Sequence, residues 1–134
     1  MSRNMSILGS DFIQASSSID DILTDNNRGF NIGRAFAVLE DASFRVDEMY
    51  AHYKNEDKIQ VWYYIGRSMN NAYIKMGKLI NEAKLDEDDV TQLNKIKQML
   101  DVYIEMMQKS NANTGYIDNQ SLLEAEKAAD QYNK

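Results

Sequence analysis

The 134-residue chain has no cysteine, no proline, one histidine and one tryptophan. Lack of cysteine excludes a disulfide framework and thiolate metal sites, and fits a reducing compartment. Lack of proline, against an average usage of about 5%, leaves long helices without a covalent interruption. No apolar run approaches the ~18 residues of a membrane span, and residues 1–9 lack the apolar core of a secretory signal. A soluble cytoplasmic protein with no membrane attachment is therefore expected.

Other absences narrow the chemistry. The single histidine, His52, has Glu48 four residues before it, but a carboxylate-bridged di-iron bundle draws on several glutamates and two Glu-x-x-His pairs. A structural or solvent-facing histidine is the expectation. The run Asp86-Glu87-Asp88-Asp89 lacks the distributed ligands and central glycine of a calcium loop and reads as a helix cap. The serines have no strand-turn-helix elbow. Glu40-Asp41 and Asp47-Glu48 are adjacent pairs that diverge around a helix. Gly29 and Gly33 lack the lysine and hydroxyl of a phosphate loop. No catalytic residue, metal ligand or cofactor is expected, and the chain reads as non-enzymatic.

Fifteen basic against twenty-one acidic residues give a net charge of −6, which opposes loose attachment to nucleic acid or anionic lipid. The charge is uneven. Residues 57–84 hold Lys58, Arg67, Lys75, Lys78 and Lys84 against only Asp57 and Glu82. Arg67, Lys75 and Lys78 lie off the apolar seam described next and are candidate phosphate contacts, with solvation or pairing to acidic helices as the commoner use of such charges.

Apolar spacing dominates what is present. Trp62, Ile65, Met69, Ala72, Met76, Leu79 and Ala83 step by 3 and 4 residues alternately, the seam of a helix packed lengthwise against others. Ile32, Phe36, Leu39, Ala42, Val46, Met49 and Tyr53 make a second stripe, and Val90, Leu93, Ile96, Leu100, Tyr103 and Met107 a third. These predict an all-α fold: an elongated antiparallel bundle of three long helices, near 31–53, 57–84 and 86–109. Shorter helices are expected at both ends.

The first is predicted over 11–23, with Ser10 or Asp11 as N-cap and a weakening serine triplet Ser16-Ser17-Ser18. A turn is expected at Asn26-Asn27-Arg28-Gly29. Asp86, between Leu85 and Val90 as staple, should cap the fourth helix; Asp118, with Ile117 and Leu122, should cap the last. The implied organisation is a flexible segment over 1–10, a bundle domain over 11–109, and a linker with a peripheral helix over 110–134.

Aromatics cluster around the break after the second helix. Trp62, Tyr63 and Tyr64 cover about 200° of helix circumference, so one partner cannot bury all three. With Tyr50, Tyr53 and Tyr73 they form the candidate interface. Met69, Met76, Met99, Met106 and Met107 suit core packing, while Gly66 and Gly77 suit either close helix approach or a tolerant surface position. The preferred function is protein–protein interaction or assembly, as an adaptor or structural protein, by self-association or partner-helix packing.

Phe30-x-x-x-Arg34 before one helix and Val61-x-x-x-Ile65-x-x-x-Met69 in the next resemble the oligomerising core of phage small terminase subunits, over residues 30–83. That resemblance implies, as the alternative, an oligomeric accessory protein of DNA packaging or other nucleic-acid processing. The N-terminal part of this chain carries no recognisable DNA-binding motif.

Overall fold

The computed structural model describes residues 2–53, 59–82, 84–111 and 113–134, with the side chains of 2–4, 52, 53 and 59 outside the description. Among the described residues it is an all-α bundle of five helices: α1 (Ser2–Leu23), α2 (Arg28–Tyr53), α3 (Ile59–Leu79), α4 (Glu87–Lys109) and α5 (Asn119–Asn133). No helix among the described residues is long and apolar enough to cross a membrane. At 1.5 Å per residue α2 is about 39 Å long, so the bundle extends along its helix axes.

The helices close a ring in the order α1–α2–α3–α5–α4. Gly9 against Met107 and Asp20 against Lys97 show α1 and α4 to be antiparallel. Phe36 beside Gly77 and Val46 beside Gly66 show the same for α2 and α3. An odd ring cannot alternate direction all the way round. The one parallel neighbour pair is α3 with α5, which run the same way because α5 turns back antiparallel beside α4.

The three predicted seams face the ring interior over most of their length, but Val90, in the first turn of α4, is exposed, and Phe36 and Met107 at the edges are half-buried. Trp62, Ile65, Met69, Ala72, Met76 and Leu79 are buried from α3, and Ile32, Leu39, Ala42, Val46 and Met49 from α2. From α4 come Leu93, Ile96, Met99, Leu100, Tyr103 and Met106. Ala83 and the break at 54–57 lie outside the described residues. The two glycines of α3 act where helices approach closely: a Cβ on Gly66 would lie 3.2 Å from Val46 Cγ1, and one on Gly77 would lie 3.1 Å from the Phe36 ring.

Several expectations are corrected. Residues 2–10 of the segment expected to be flexible are helical, because α1 begins at Ser2 and buries Met5 and Leu8 completely. Met5, Leu8, Phe12, Ala15, Ile19 and Ile22 step by 3 and 4, and that continuous seam overrides the weak local helix preference of the intervening polar residues. Ser10 and Asp11 therefore stand inside α1 and cap nothing. Ser16 and Ser18 are buried, and Ser16 Oγ donates to Asp101 on α4 at 3.1 Å. The serine run fits α1 against its neighbours.

The α1–α2 turn also differs. The left-handed residues are Asp25 (φ 59°) and Asn27 (φ 47°), while Gly29 already belongs to α2. Asn26 N–H bonds to Asp21 O at 2.8 Å and Asp25 N–H to Ile22 O at 3.2 Å, the paired closure of a Schellman turn with aspartate in the glycine position. The buried Asn31 amide ties this turn to α2 by donating to Asn26 O at 2.9 Å.

Both predicted caps form. Asp86 accepts from Asp89 N–H at 2.7 Å, and the Asp89 side chain accepts from Asp86 N–H at 3.1 Å, completing a capping box. Asp118 accepts from Ser121 N–H at 2.8 Å. The preceding segment is an ordered turn rather than a linker: Asn111 and Tyr116 bridge, Gly115 is left-handed at φ 73°, and Asn111 Oδ1 accepts from Asn113 N–H. Nor is α5 peripheral. Leu122, Ala125 and Ala129 are buried against α3 and α4, because an alanine edge lets a third helix enter a narrow gap that larger side chains would hold open.

Candidate interaction surface

The aromatic candidates separate according to the direction in which each points. Trp62 is only 3% exposed and belongs to the core, so it is not an exposed contact. Its neighbour Tyr63 points outward at 50% exposure and meets Tyr50 of α2, 39% exposed, with ring centroids 6.0 Å apart. Tyr64 is half-buried, in edge contact with Tyr63 at 5.7 Å. Tyr73 is half-buried in a different place, edge-on to Phe36 at 5.8 Å. Tyr53 and His52 have side chains outside the described residues. What α2 and α3 bring together is therefore the Tyr50–Tyr63 pair.

An open cleft of about 290 Å³ runs beside that pair, lined by Ser43, Asp47, Tyr50, Tyr63, Gly66, Arg67 and Asn70. The absent side chain at Gly66 leaves its floor low. Two tyrosines tilted against each other at 52°, with Arg67 and Asp47 at the rim, offer aromatic faces and hydrogen-bonding groups, the chemistry of a protein contact.

The basic candidates do not gather. Arg67 and Lys78 are exposed on one line of α3 but lie eleven residues apart, about 17 Å along the axis, too far to grip one phosphate. Lys75 is half-buried and turned to the side where Glu82 and Asp89 carry opposite charge. The carboxylates of Asp86, Asp88 and Asp89 come within 4.8 Å of one another, and the capping box accounts for Asp86 and Asp89.

Sequence reading missed a second exposed strip. Phe30 and Phe44 are 69% and 60% exposed on the outer face of α2. With the exposed Ala37 and Ala51 they fall at intervals of seven residues. The signal was available as a heptad on the face opposite the core seam; it is masked because the core seam of the same helix is stronger.

Among the described residues, Asp11, between α1 and α2, is the one buried charged side chain. Asp11 is buried, its Oδ2 has no hydrogen-bond partner, and Arg45 Nε lies 3.7 Å away, beyond hydrogen-bond length. Arg45 Nε instead donates to Asp41 at 2.8 Å. Burial and the facing Asp41 carboxylate push Asp11 up to about 7, whereas Asp41, accepting from protonated Asp11 and from Arg45, is held below the ordinary range. None of the described clefts reaches this cluster, so its proton serves the α1–α2 contact.

The sign of the pH effect follows. Between about pH 4 and 7 the folded chain holds a proton on Asp11 that the unfolded chain has released, so stability falls as pH rises through that window. Asp41 acts in the opposite sense only below its ordinary value. Thermal melting should therefore be higher at pH 5 than at pH 8. Asp11→Asn should flatten this slope and stabilise the protein at pH 8 by about 1–2 kcal/mol, since a neutral amide replaces a poorly partnered carboxylate. A slope unchanged in the variant would place the titrating group elsewhere.

Fold and surface together define a closed five-helix bundle with exposed aromatic contacts on α2 and α3. No protein-family model, curated protein or solved structure matches the chain.

Proposed function

We propose that this is a non-enzymatic assembly protein, acting by self-association or by packing of a partner helix. The observation that carries this reading is that the ring of five helices completes its own core, yet Phe30, Phe44, Tyr50 and Tyr63 stay 39–69% exposed along α2 and the adjoining edge of α3. Burying apolar area releases roughly 25 cal/mol per Å², and aromatic residues are the commonest anchors of interfaces. Isolated exposed apolar residues are normal; four aromatics on two neighbouring helices are a surface with a use.

Light scattering of the pure protein over a range of concentrations, at about 0.15 and 0.5 M salt and with or without duplex DNA, tests the reading. Mass should rise with protein concentration, and the rise should survive the higher salt because apolar burial does not depend on condensed counterions. Overturning results are a monomer up to the solubility limit, or duplex binding that vanishes with salt. The latter would restore the packaging-like alternative if replacing Arg67, Lys75 and Lys78 by glutamine abolished it, with a log–log salt slope of about −0.9 per phosphate.

A further inference from the structure

We infer that the outer face of α2 binds a second copy of the same face, the two helices running antiparallel. This rests on the assembly reading and assigns it a surface and an occupant. Three observations support it.

The first is pattern. Phe30, Ala37, Phe44 and Ala51 are all exposed and recur every seven residues, and over that span a straight helix drifts by only about 60°. They form one strip, facing away from the ring interior where Leu39, Ala42 and Val46 are buried. A heptad strip is the form of surface that another helix covers lengthwise.

The second is shape. Large and small side chains alternate along the strip, so two antiparallel copies mesh when each phenylalanine lies over an alanine. Phe30 then lies across from the partner's Ala51, and Phe44 across from the partner's Ala37. A parallel pair in register would instead set phenylalanine against phenylalanine at both positions.

The third is charge. The exposed face is basic toward its start, at Arg34, and acidic toward its end, at Glu48, while Asp47 turns toward Gly66 of α3. In the meshed register Arg34 comes opposite that acidic end, twice over by symmetry, whereas parallel copies would align like with like. A self-complementary patch of this kind is what a twofold dimer requires.

Area sets the strength. With about 200 Å² for a whole phenylalanine and exposures of 69% and 60%, the four rings of a dimer remove about 500 Å² from water. Even doubled by the flanking side chains, this stays below the ~1,200–2,000 Å² of stable interfaces. The dimer should be a weak one, dissociating in the micromolar range.

Sedimentation velocity of the full chain over a concentration series measures the dimer. Phe30→Glu with Phe44→Glu should raise the dissociation constant on the order of 100-fold, with helical circular dichroism and melting kept, since both rings are already in water. Arg34→Glu should weaken the dimer, and adding Glu48→Arg should restore it.

Orientation is read independently, because the chain has no cysteine of its own. In an antiparallel pair a cysteine near the middle of α2, Glu40→Cys, meets its own copy and cross-links on oxidation, while Ala51→Cys at the end does not. Self-association undiminished by the phenylalanine changes would overturn this inference and leave the assembly reading standing. A wild-type chain that stays monomeric overturns both, and equal cross-linking at positions 40 and 51 overturns the antiparallel arrangement.

Discussion

Met69→Asp should leave the chain unfolded or molten at room temperature. Met69 is completely buried at the middle of the α3 seam, and a carboxylate placed there has no basic partner and no route to water. It must either remain charged in an apolar interior or take up a proton and lose the methionine packing, and both cost several kcal/mol. A domain of this kind has about 5–15 kcal/mol in total. Lys78→Asp on the exposed side of α3 is the comparison. It reverses a favourable charge in the last helical turn and should cost at most about 1 kcal/mol. Chemical denaturation followed by circular dichroism measures both; similar small shifts would show that the seam is misplaced.

Tyr103→Ala should cost about 3–5 kcal/mol, for a reason that α4 alone does not reveal. Tyr103 is fully buried, its ring tilted against Phe12 of α1 at 5.4 Å, and its hydroxyl lies 2.8 Å from Ser68 Oγ of α3. Ser68 Oγ donates its own proton to Ile65 O at 2.6 Å, so Tyr103 is the donor in the pair. Burial accordingly pushes that hydroxyl far above the ordinary tyrosine range, keeping it protonated. One side chain thus joins three helices across the ring, two of which, α3 and α4, are held apart at the wall by α5. Tyr103→Phe keeps the ring contact and loses one buried hydrogen bond, about 1 kcal/mol. If alanine and phenylalanine melted alike, the ring packing would count for nothing and the packing account would fail.

How far the surface could be read in advance depended on geometry around each helix. Three consecutive aromatics at 62–64 cannot all face one partner, and that much follows from about 100° per residue. That Trp62 turns inward and Tyr63 outward depends on where α2 and α5 lie against α3, and the meeting of Tyr63 with Tyr50 depends on α2. Phe30 and Phe44 were hidden differently, because α2 has two seven-residue patterns on opposite faces and only the larger one marks a core. The Asp11, Asp41 and Arg45 cluster was not readable at all: Asp11 looked like a helix start, and its burial exists only because residues before it are helical too.

Short-range physics therefore determined what the sequence alone could specify: all-α class, the core faces of α2, α3 and α4, and the caps at Asp86 and Asp118. Each arises within a few residues, from a 3.6-residue period or from a side chain reaching the next turn's N–H. Tertiary structure decided the rest. The helical state of residues 2–10, the entry of α5 between α3 and α4, and the choice of Trp62 over Tyr63 all depend on surfaces supplied by distant parts of the chain. Burial against those surfaces outweighs local preferences worth only tenths of a kcal/mol per residue.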